Sequence, residues 1–556
     1  MKISFPAILA GSSALLLSYS CKNQQDKNES DRPNIILIMA DDMGYSDIGF
    51  FGSEISTPNI DRLANEGLVM NNFYNAGRCC PSRAALMTGL YQHQVGVGDM
   101  LQKDDLPGYT HHLRHNGVTI AEVLKKNGYH TMISGKWHLG HEEPYWPMKR
   151  GFQRQYASTS TTGHYFGIAE GRTYVIEDQW VEPPGEWIQA GQTRYKLFKN
   201  EDGSQWYATD AYTDRAMGYI EELRDSLPEK PFFLYLAYTA PHWPLHAFPE
   251  DIAKYKGVYD IGWDSLRNLR HKRMIDKSIV DSRQVLSARN ENVEAWESLP
   301  DSTKAYYASL MEVYAAMIDN MDQNIGRLLE KLKETGDFDN TLILFLSDNG
   351  GCHEAPHRGK PGATPGSPDS FDGYEYAWAN VSNTPFQWFK HWVHEGGIST
   401  PFIAWYPDMI EAGRRDNHVA HIMDIMPTLV EISGAEYPEV YNDSVILPVE
   451  GISMVPIFKE EGKFQGHEVL FWEHEGNRAV RKGDWKLVSR FNYKENEAFD
   501  WELYNIASDR TETKNLALEY TEKVEELAGL YQEWAARCNV MPFDKLRNKR
   551  NPNRFQ

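Results

Sequence analysis

Asn34-Ile-Ile-Leu-Ile-Met39, followed by Ala40-Asp41-Asp42-Met43-Gly44, is the stretch on which the fold turns. An unbroken apolar run ended by a glycine turn predicts a strand buried on both faces, as in a parallel sheet. The pattern returns. Tyr129-His-Thr-Met-Ile133 leads to Lys136-Trp-His138, and Pro231-Phe-Phe-Leu-Tyr-Leu-Ala-Tyr238 leads to Pro241-His242-Trp-Pro244. Thr341-Leu-Ile-Leu-Phe-Leu-Ser347 leads to Asp348-Asn349-Gly-Gly351. In each case the reactive residues follow the C-terminal end of a strand, where open α/β sheets hold their ligands. An isolated Asp-Asp after a strand is more often a turn or a cap. Four such ends, delivering carboxylates, a lysine, histidines and a carboxamide to one edge, predict a site.

Helices fill the intervals. Thr57 is read as a cap with Pro58 at the first helical position and Gly67 past the end, and Thr119 to Lys126 as a second short helix. Leu310, Tyr314, Met317, Met321, Leu328 and Leu332 recur at helical steps and predict a long amphipathic helix closed by Gly336. Strands alternating with helices give the fold class: α/β, a large mostly parallel sheet flanked by helices over 33–440. Residues 441–556 read as a smaller C-terminal α+β domain, with antiparallel strands at Val469–Trp472, Arg478–Arg481 and Trp485–Arg490 and a helix from Thr521 to Arg537. Thr400–Tyr406 is read as another core strand. Lys254 to Pro300 is charged and poorly patterned, and reads as a surface excursion. Residues 352–389 read as a loop walling the site, with Tyr374, Tyr376 and Trp378 either stacking on sugar rings or packing.

The 556 residues carry a net charge of −21, from 57 basic against 78 acidic side chains. That balance argues against nucleic acid or an anionic membrane face as partner, so an anionic substrate must be drawn by a local positive cluster. Met1-Lys2 and an apolar run through Leu17 precede Ser18-Tyr19-Ser20-Cys21, a pattern too short to span a membrane. It predicts a signal peptide over 1–21 with a lipoprotein-type cysteine, Cys21, and a polar tether over 22–32. Signal cleavage without lipid is the alternative. The protein is thus expected to be exported, to the periplasm or outer-membrane surface of a bacterium, touching membrane only through a lipid anchor. Five cysteines, Cys21, Cys79, Cys80, Cys352 and Cys538, make no disulfide scaffold.

Arg78-Cys79-Cys80-Pro81-Ser82-Arg83 runs on through Ala-Ala-Leu-Met-Thr to Gly89. Pro81 is expected at the first position of a helix, with the Cys79 thiol just outside its N-terminus, facing an anionic substrate or a metal. A bare Cys-Pro would be an ordinary loop cysteine. Asp41, Asp42, Asp348 and Asn349 supply oxygen donors suited to a hard cation, calcium above zinc. His138-x-x-His141-Glu142 and His353-Glu354 lack a zincin pattern. Arg83, Lys136 and Lys390, the last standing before Glu395-Gly396-Gly397, can bind and polarise an anionic group together with a metal. His138 and His242 can move protons near neutral pH.

The string Cys79-x-Pro-Ser-Arg83 followed by Leu-Met-Thr-Gly resembles the signature of the formylglycine-dependent (type I) sulfatases of the alkaline-phosphatase-like superfamily. Asp41-Asp42, Lys136-x-His138, Ala240-Pro-His242, Asp348-Asn349 and Lys390 match that family in order, from Asn34 to the C-terminal helix. The resemblance implies that a sulfatase-maturing enzyme oxidises Cys79 to formylglycine, and that Asp41, Asp42, Asp348, Asn349 and the modified Cys79 bind one calcium ion. It assigns Arg83 and Lys136 to formylglycine and sulfate, His138 to the formylglycine diol, and His242 and Lys390 to the ester oxygens. One diol hydroxyl would attack sulfur, His242 would protonate the leaving alcohol, and the second hydroxyl, with His138 as base, would expel sulfate. The implied reaction is arylsulfatase-like hydrolysis of a sulfate monoester, with a sulfated small molecule or glycan as substrate. Ile398-Ser-Thr-Pro401 departs from the Arg-Val-Pro of many members and resembles a bacterial arylsulfatase branch, which bears on substrate choice. A phosphonate monoester or phosphodiester hydrolase on the same scaffold, and an inactive glycan-binding protein, stay open as alternatives.

Overall fold

The computed structural model describes residues 32–550 other than 103, 105, 162, 182–184 and 462–463. The signal segment with Cys21, and the tether up to residue 31, lie outside the described residues.

Ten strands form the central sheet. In chain order they are β1 (Asn34–Asp41), β2 (Leu68–Met70), β3 (His130–Lys136), β4 (Arg154–Ser158) and β5 (Tyr174–Ile176). They continue as β6 (Gln179–Val181), β7 (Phe232–Pro241), β8 (Thr341–Ser347), β9 (Phe402–Trp405) and β10 (Arg414–Asp416). Their spatial order is β10-β2-β9-β8-β1-β7-β3-β4-β5-β6. The middle, β8 through β4, is parallel throughout, and both margins turn antiparallel at β9 and β5.

The four apolar runs of the sequence are the four adjacent central strands β8, β1, β7 and β3. All eight residues of β1 are buried, and alternate residues enter different cores. Ile36 and Ile38 join Leu234, Leu236, Ile343 and Phe345 on one face, while Ile35, Leu37 and Met39 join Phe233, Tyr235, Leu342 and Leu344 on the other. Each such side chain contributes about 1.5–3 kcal/mol through burial, which fixes the strands in register and brings their polar ends level.

The helices that matter for the site and its supports are α1 (Pro58–Glu66), α2 (Cys79–Thr88), α3 (Ile120–Lys126), α4 (Ala208–Ser226), α5 (Gly262–Asp276), α6 (Asp301–Thr335) and α7 (Glu375–Ser382). α4 and α6 cover the first face, and α2 and α3 the second. α6 ends at Gly336 in the left-handed conformation (φ 78°). Thr119 makes a full capping box with Glu122 on α3. Thr57 occupies the cap of α1, but its hydroxyl is committed to Gly49 N (2.8 Å) and Asp61 (2.9 Å) instead of the helix amides.

The C-terminal part holds a four-stranded antiparallel sheet, β11 (Val469–His474), β12 (Asn477–Lys482), β13 (Trp485–Ser489) and β14 (Glu502–Asn505), with the helix α8 over Thr521–Arg537. Leu470, Trp472, Val480 and Leu487 extend the second core, so this unit is packed onto the face that carries α2.

Two expectations give way. Residues 254–300 are no surface excursion: α5 buries Trp263 and Leu266 in the first core. Its Arg270 is fully buried against Asp47 (2.6 Å) and Glu54 (2.7 Å). The charge that read as solvent-facing belongs to an internal ion pair whose partners lie more than 200 residues away. The 352–389 stretch carries α7, and within it Tyr374 and Trp378 are core residues, 2% and 0% exposed. Tyr374 stacks on Tyr314 at 4.3 Å, and Trp378 donates to Tyr307 O at 2.7 Å, so neither is available to a sugar.

Candidate active site

α2 begins at Cys79, so the cysteine lies within the first turn and Pro81 is the third helical residue, not the first. The amides of a first turn have no intrahelical carbonyl to reach, which lets proline stand at this position as well. The Ser82 hydroxyl accepts from Ala76 N at 2.9 Å and pins the entry to the helix. The thiol of Cys79 is 1% exposed. A hydrogen bond from Cys80 holds it well below its ordinary 9.0, against the effect of burial and with the help of Lys136 and His138.

The strand ends converge as the sequence predicts. Asp41, the last residue of β1, accepts from Lys136 Nζ at 2.7 Å, and Lys136 is the last residue of β3. Asp42 accepts from Lys390 Nζ at 2.7 Å and from Asn349 Nδ2 at 2.7 Å. Asp348, just beyond β8, takes two bonds from Arg83, at 2.7 and 3.0 Å, and accepts from the Asp42 amide at 3.2 Å. Arg83 spends its remaining nitrogen on Lys136 O (3.0 Å) and Tyr235 Oη (3.2 Å). Asp41, Asp42, Arg83, Lys136, Asp348, Asn349 and Lys390 are all at most 1% exposed.

Burial lifts the Asp41 carboxyl well above its ordinary 3.8, opposed by Lys136 and reinforced by Asp348 and Asp42. Burial acts on Asp42 in the same sense, but His242 and Lys390 outweigh it and hold that carboxyl down. Two oxygens are left over: Asp41 Oδ1 and Asn349 Oδ1 are buried and accept no hydrogen bond. Such orphans cost on the order of 1–3 kcal/mol each unless a ligand engages them. A set of carboxylates and a carboxamide with idle oxygens fits a hard divalent cation such as calcium. Asp42 (φ 67°) and His138 (φ 58°) both adopt the left-handed conformation, a strain of order 1–3 kcal/mol apiece that collects at working sites.

The two histidines differ in what they face. His138 meets Cys79, and burial followed by Lys136 drives its ring down to about 3. His242 sits at the end of β7 with Nε2 3.4 Å from Asp42 Oδ2. Its Nδ1 lies 2.5 Å from the carbonyl of Trp243. A carbonyl only accepts, so Nδ1 carries the proton and Nε2 is the nitrogen free to exchange one. Burial sets this ring at about 4, with Asp42 raising it and Lys390 lowering it.

Sequence reasoning overlooked Tyr235, whose polar group hid inside an apolar run, and the trio Arg78, Glu354 and Trp243. Glu354 bonds Arg78 Nη2 at 2.8 Å and Trp243 Nε1 at 2.8 Å. A cavity of about 500 Å³ beside them is lined by Trp243, His353, Glu354, Arg358 and Tyr376. Its wall includes Trp243, the residue after His242, and we call it the vestibule. The larger cavity, about 860 Å³ around Asn71, Gln284, Asp484 and Arg510, contains none of the site residues. His141, Glu142 and the His353-Glu354 pair join no metal-ligand cluster among the described residues. Cys79, Cys80, Cys352 and Cys538 are free thiols.

A buried cluster of cations beside one idle carboxylate oxygen, one idle carboxamide oxygen and a helix-borne thiol suits an anionic ester as ligand. The sulfatase family model matches residues 33–435, and the model of the N-sulphoglucosamine sulphohydrolase C-terminal region matches residues 385–534. The chain belongs to the sulfatase family. An uncharacterized sulfatase of Schizosaccharomyces pombe is 33% identical, covering 92% of this chain and 95% of its own length. An arylsulfatase of Klebsiella aerogenes is 35% identical over 77% of this chain and 92% of its own. Among solved structures, that of Ps i-CgsB superposes with a TM-score of 0.63 at 27% identity, covering 91% of this chain and 93% of that one, and the same protein has been solved with k-i-k-neocarrahexaose. The protein is thus a sulfuric ester hydrolase with the fold expected of it.

Proposed function

We propose that this sulfatase acts on sulfated carbohydrates, through a formylglycine derived from Cys79 and one calcium ion held by Asp41, Asp42, Asp348 and Asn349. The observation that carries the reading is the pair of orphaned oxygens, Asp41 Oδ1 and Asn349 Oδ1, in a cluster whose Lys136 also acts on the Cys79 thiol. Calcium, when bound, would supply positive charge against the sulfate oxygens. Formylglycine, when formed, would supply a hydroxyl that accepts the sulfuryl group and a second that releases it.

The chain's own groups do the rest. Lys136 and Lys390 bring buried ammonium charges to the sulfate, where a low-dielectric setting strengthens them. Arg83 holds Asp348 with two bonds and so fixes the position of a calcium ligand. His138, kept neutral by burial, can accept a proton from a hydroxyl at residue 79. His242 Nε2 is the donor for the departing alcohol. Asp42 supports its protonated form, and the negative charge of a bound ester adds to that support. Trp243, Tyr376 and Glu354 in the vestibule suit a pyranose ring, two offering apolar faces and one a hydrogen-bond acceptor. A relative solved with k-i-k-neocarrahexaose supports a glycan as substrate.

We further propose export as a lipoprotein bearing lipid on Cys21, maturation of Cys79 by a sulfatase-maturing enzyme, and a catalytic unit over 33–440. No helix among the described residues is long and apolar enough to cross a membrane. The test is turnover of a simple aryl sulfate beside a phenyl phosphodiester, with chelator and then with calcium restored. Faster sulfate turnover that is lost on chelation and regained with calcium is expected. A preference for the phosphodiester, or indifference to calcium, would overturn the reading.

A further inference from the structure

The C-terminal sheet reaches the catalytic domain through its first hairpin. β11 and β12 pair antiparallel, and between them Glu475 (φ 47°) and Gly476 (φ 83°) make the left-handed turn that a two-residue connection requires. His474 thereby ends β11 with a ring that is 0% exposed and whose two nitrogens have no hydrogen-bond partner. Buried imidazoles are ordinarily satisfied, so this one asks for a ligand.

Opposite it stands His391, the residue after Lys390, itself in a strained left-handed conformation (φ 91°). The two rings lie 5.3 Å apart, edge to face. His391 Nδ1 is 3.3 Å from Glu475 Oε2, and its Nε2 is 2.6 Å from Tyr493 Oη. One nitrogen of each histidine and one carboxylate oxygen of Glu475 all fall within 4.8 Å of one another.

From this geometry we propose a second metal site, in which His391, His474 and Glu475 hold a zinc-class divalent ion and leave a fourth position to water. Tetrahedral zinc with ligands at about 2.0–2.2 Å places neighbouring donors roughly 3.3 Å apart, which is the edge His391 and Glu475 already span. Two imidazoles and a carboxylate suit zinc and its neighbours in the first transition row, whereas calcium takes the all-oxygen set at Asp41 and Asp348. Tyr493 orients the ligand. Its hydroxyl donates to Glu475 O at 3.0 Å and lies 2.6 Å from His391 Nε2, which Asn477 Nδ2 also approaches at 3.2 Å, so that the ring is held with Nδ1 toward Glu475.

The edge of the site is open, since the His391 and Glu475 side chains are 12% and 15% exposed. The Arg78 guanidinium beyond it is neutralised by Glu354 at 2.8 Å. An ion here clamps the C-terminal hairpin to the segment that carries Lys390, so it acts as a structural fastening next to the reaction centre.

Untagged full-length protein, stripped with chelator and kept in excess calcium so that the oxygen site stays filled, is titrated with cobalt(II). Tetrahedral cobalt absorbs visible light, and elemental analysis counts the zinc that replaces it. The expected result is one cobalt per chain, displaced by zinc and not by calcium, and an unfolding midpoint raised by either ion. His474→Gln and Glu475→Gln should each weaken binding by on the order of 100-fold, with aryl sulfate turnover in calcium reporting that the variants are folded. Wild-type protein without tetrahedral cobalt absorption, or absorption that both variants retain, would overturn the proposal. Because aryl sulfate turnover is read separately, a failure here is distinct from a failure of the catalytic reading.

Discussion

Two buried charge clusters flank the same strand ends, and they are built on opposite principles. In one, Glu395 spends both oxygens: Lys486 bonds one at 2.9 Å, while Tyr74 (2.9 Å), Ser399 (3.0 Å) and Arg510 (3.1 Å) share the other. Lys486, Arg510 and Arg481, in that order, overcome burial and hold the Glu395 carboxyl at about 2. In the other cluster Asp41 keeps one oxygen idle and its carboxyl is pushed upward by burial. The contrast lies between these two carboxylates: Glu395 is saturated by its neighbours, whereas Asp41 keeps one oxygen unspent, held in place by the surrounding scaffold. Function here is read from what is left unsatisfied.

Substitutions should separate the two. Cys79→Ala is expected to abolish turnover, by on the order of 10⁴-fold or more, while leaving the denaturant midpoint nearly unchanged. Asp41→Asn should cost on the order of 10²–10³-fold in kcat, yet leave the stability of calcium-free protein nearly unchanged, since an amide oxygen can still accept from Lys136 while burial already disfavours the charged carboxylate. Glu395→Ala should behave in the reverse way. It strands Lys486 and Arg510 in the interior and should cost about 3–5 kcal/mol in urea unfolding, with activity lost only as the fold is lost. A stable Glu395→Ala protein would break the comparison.

Acid should sharpen it. His421, brought down to about 3 by burial and by His467, and His246, brought down to about 4 by burial, both lie below the ordinary 6.5. Between those values the unfolded chain binds more protons, so stability falls as pH drops from about 6.5 toward 4, by up to about 1.4 kcal/mol per unit for each ring. Glu395 acts lower. Its contribution is complete above its ordinary 4.5 and is lost only as pH falls from there toward about 2. Unfolding measured from pH 7 to 3 should therefore decline in two stages, and His246→Gln should flatten the upper one. The smallest effect belongs to the vestibule: Tyr376→Ala should raise KM for a sulfated glycan by a few-fold, roughly the 1 kcal/mol of an exposed ring contact, and leave a simple aryl sulfate unaffected.

What the sequence disclosed follows from periodicity. The strands that lead to Asp41, His242 and Asp348 were legible because they are almost wholly apolar and buried on both faces, whereas the strand ending at Lys136 runs three residues past its apolar run, through Ser134 and Gly135. Thr57, expected as a cap, turns its hydroxyl to Gly49 and Asp61 instead, while the short helix after Thr119 was legible as a helix, though not its capping box with Glu122. The partners of Arg270 were not, since Asp47 and Glu54 come from segments more than 200 residues distant. The pairing of His391 with His474 was equally hidden, because it depends on docking a hairpin of one domain against a loop of another. Composition left Tyr374 and Trp378 open between stacking on a sugar and packing, and only their contacts with Tyr314 and Tyr307 of α6 decide for packing.

The central claim is that Cys79 is the precursor of the catalytic group. Peptide mass spectrometry spanning Cys79 and Cys80, on protein produced with a sulfatase-maturing enzyme, tests it directly when the same samples are assayed on an aryl sulfate. The account predicts an aldehyde at Cys79 alone, a thiol at Cys80, and turnover in proportion to the fraction of aldehyde. Full conversion without turnover of the sulfate ester, or full turnover by protein whose Cys79 remains a thiol, would contradict it.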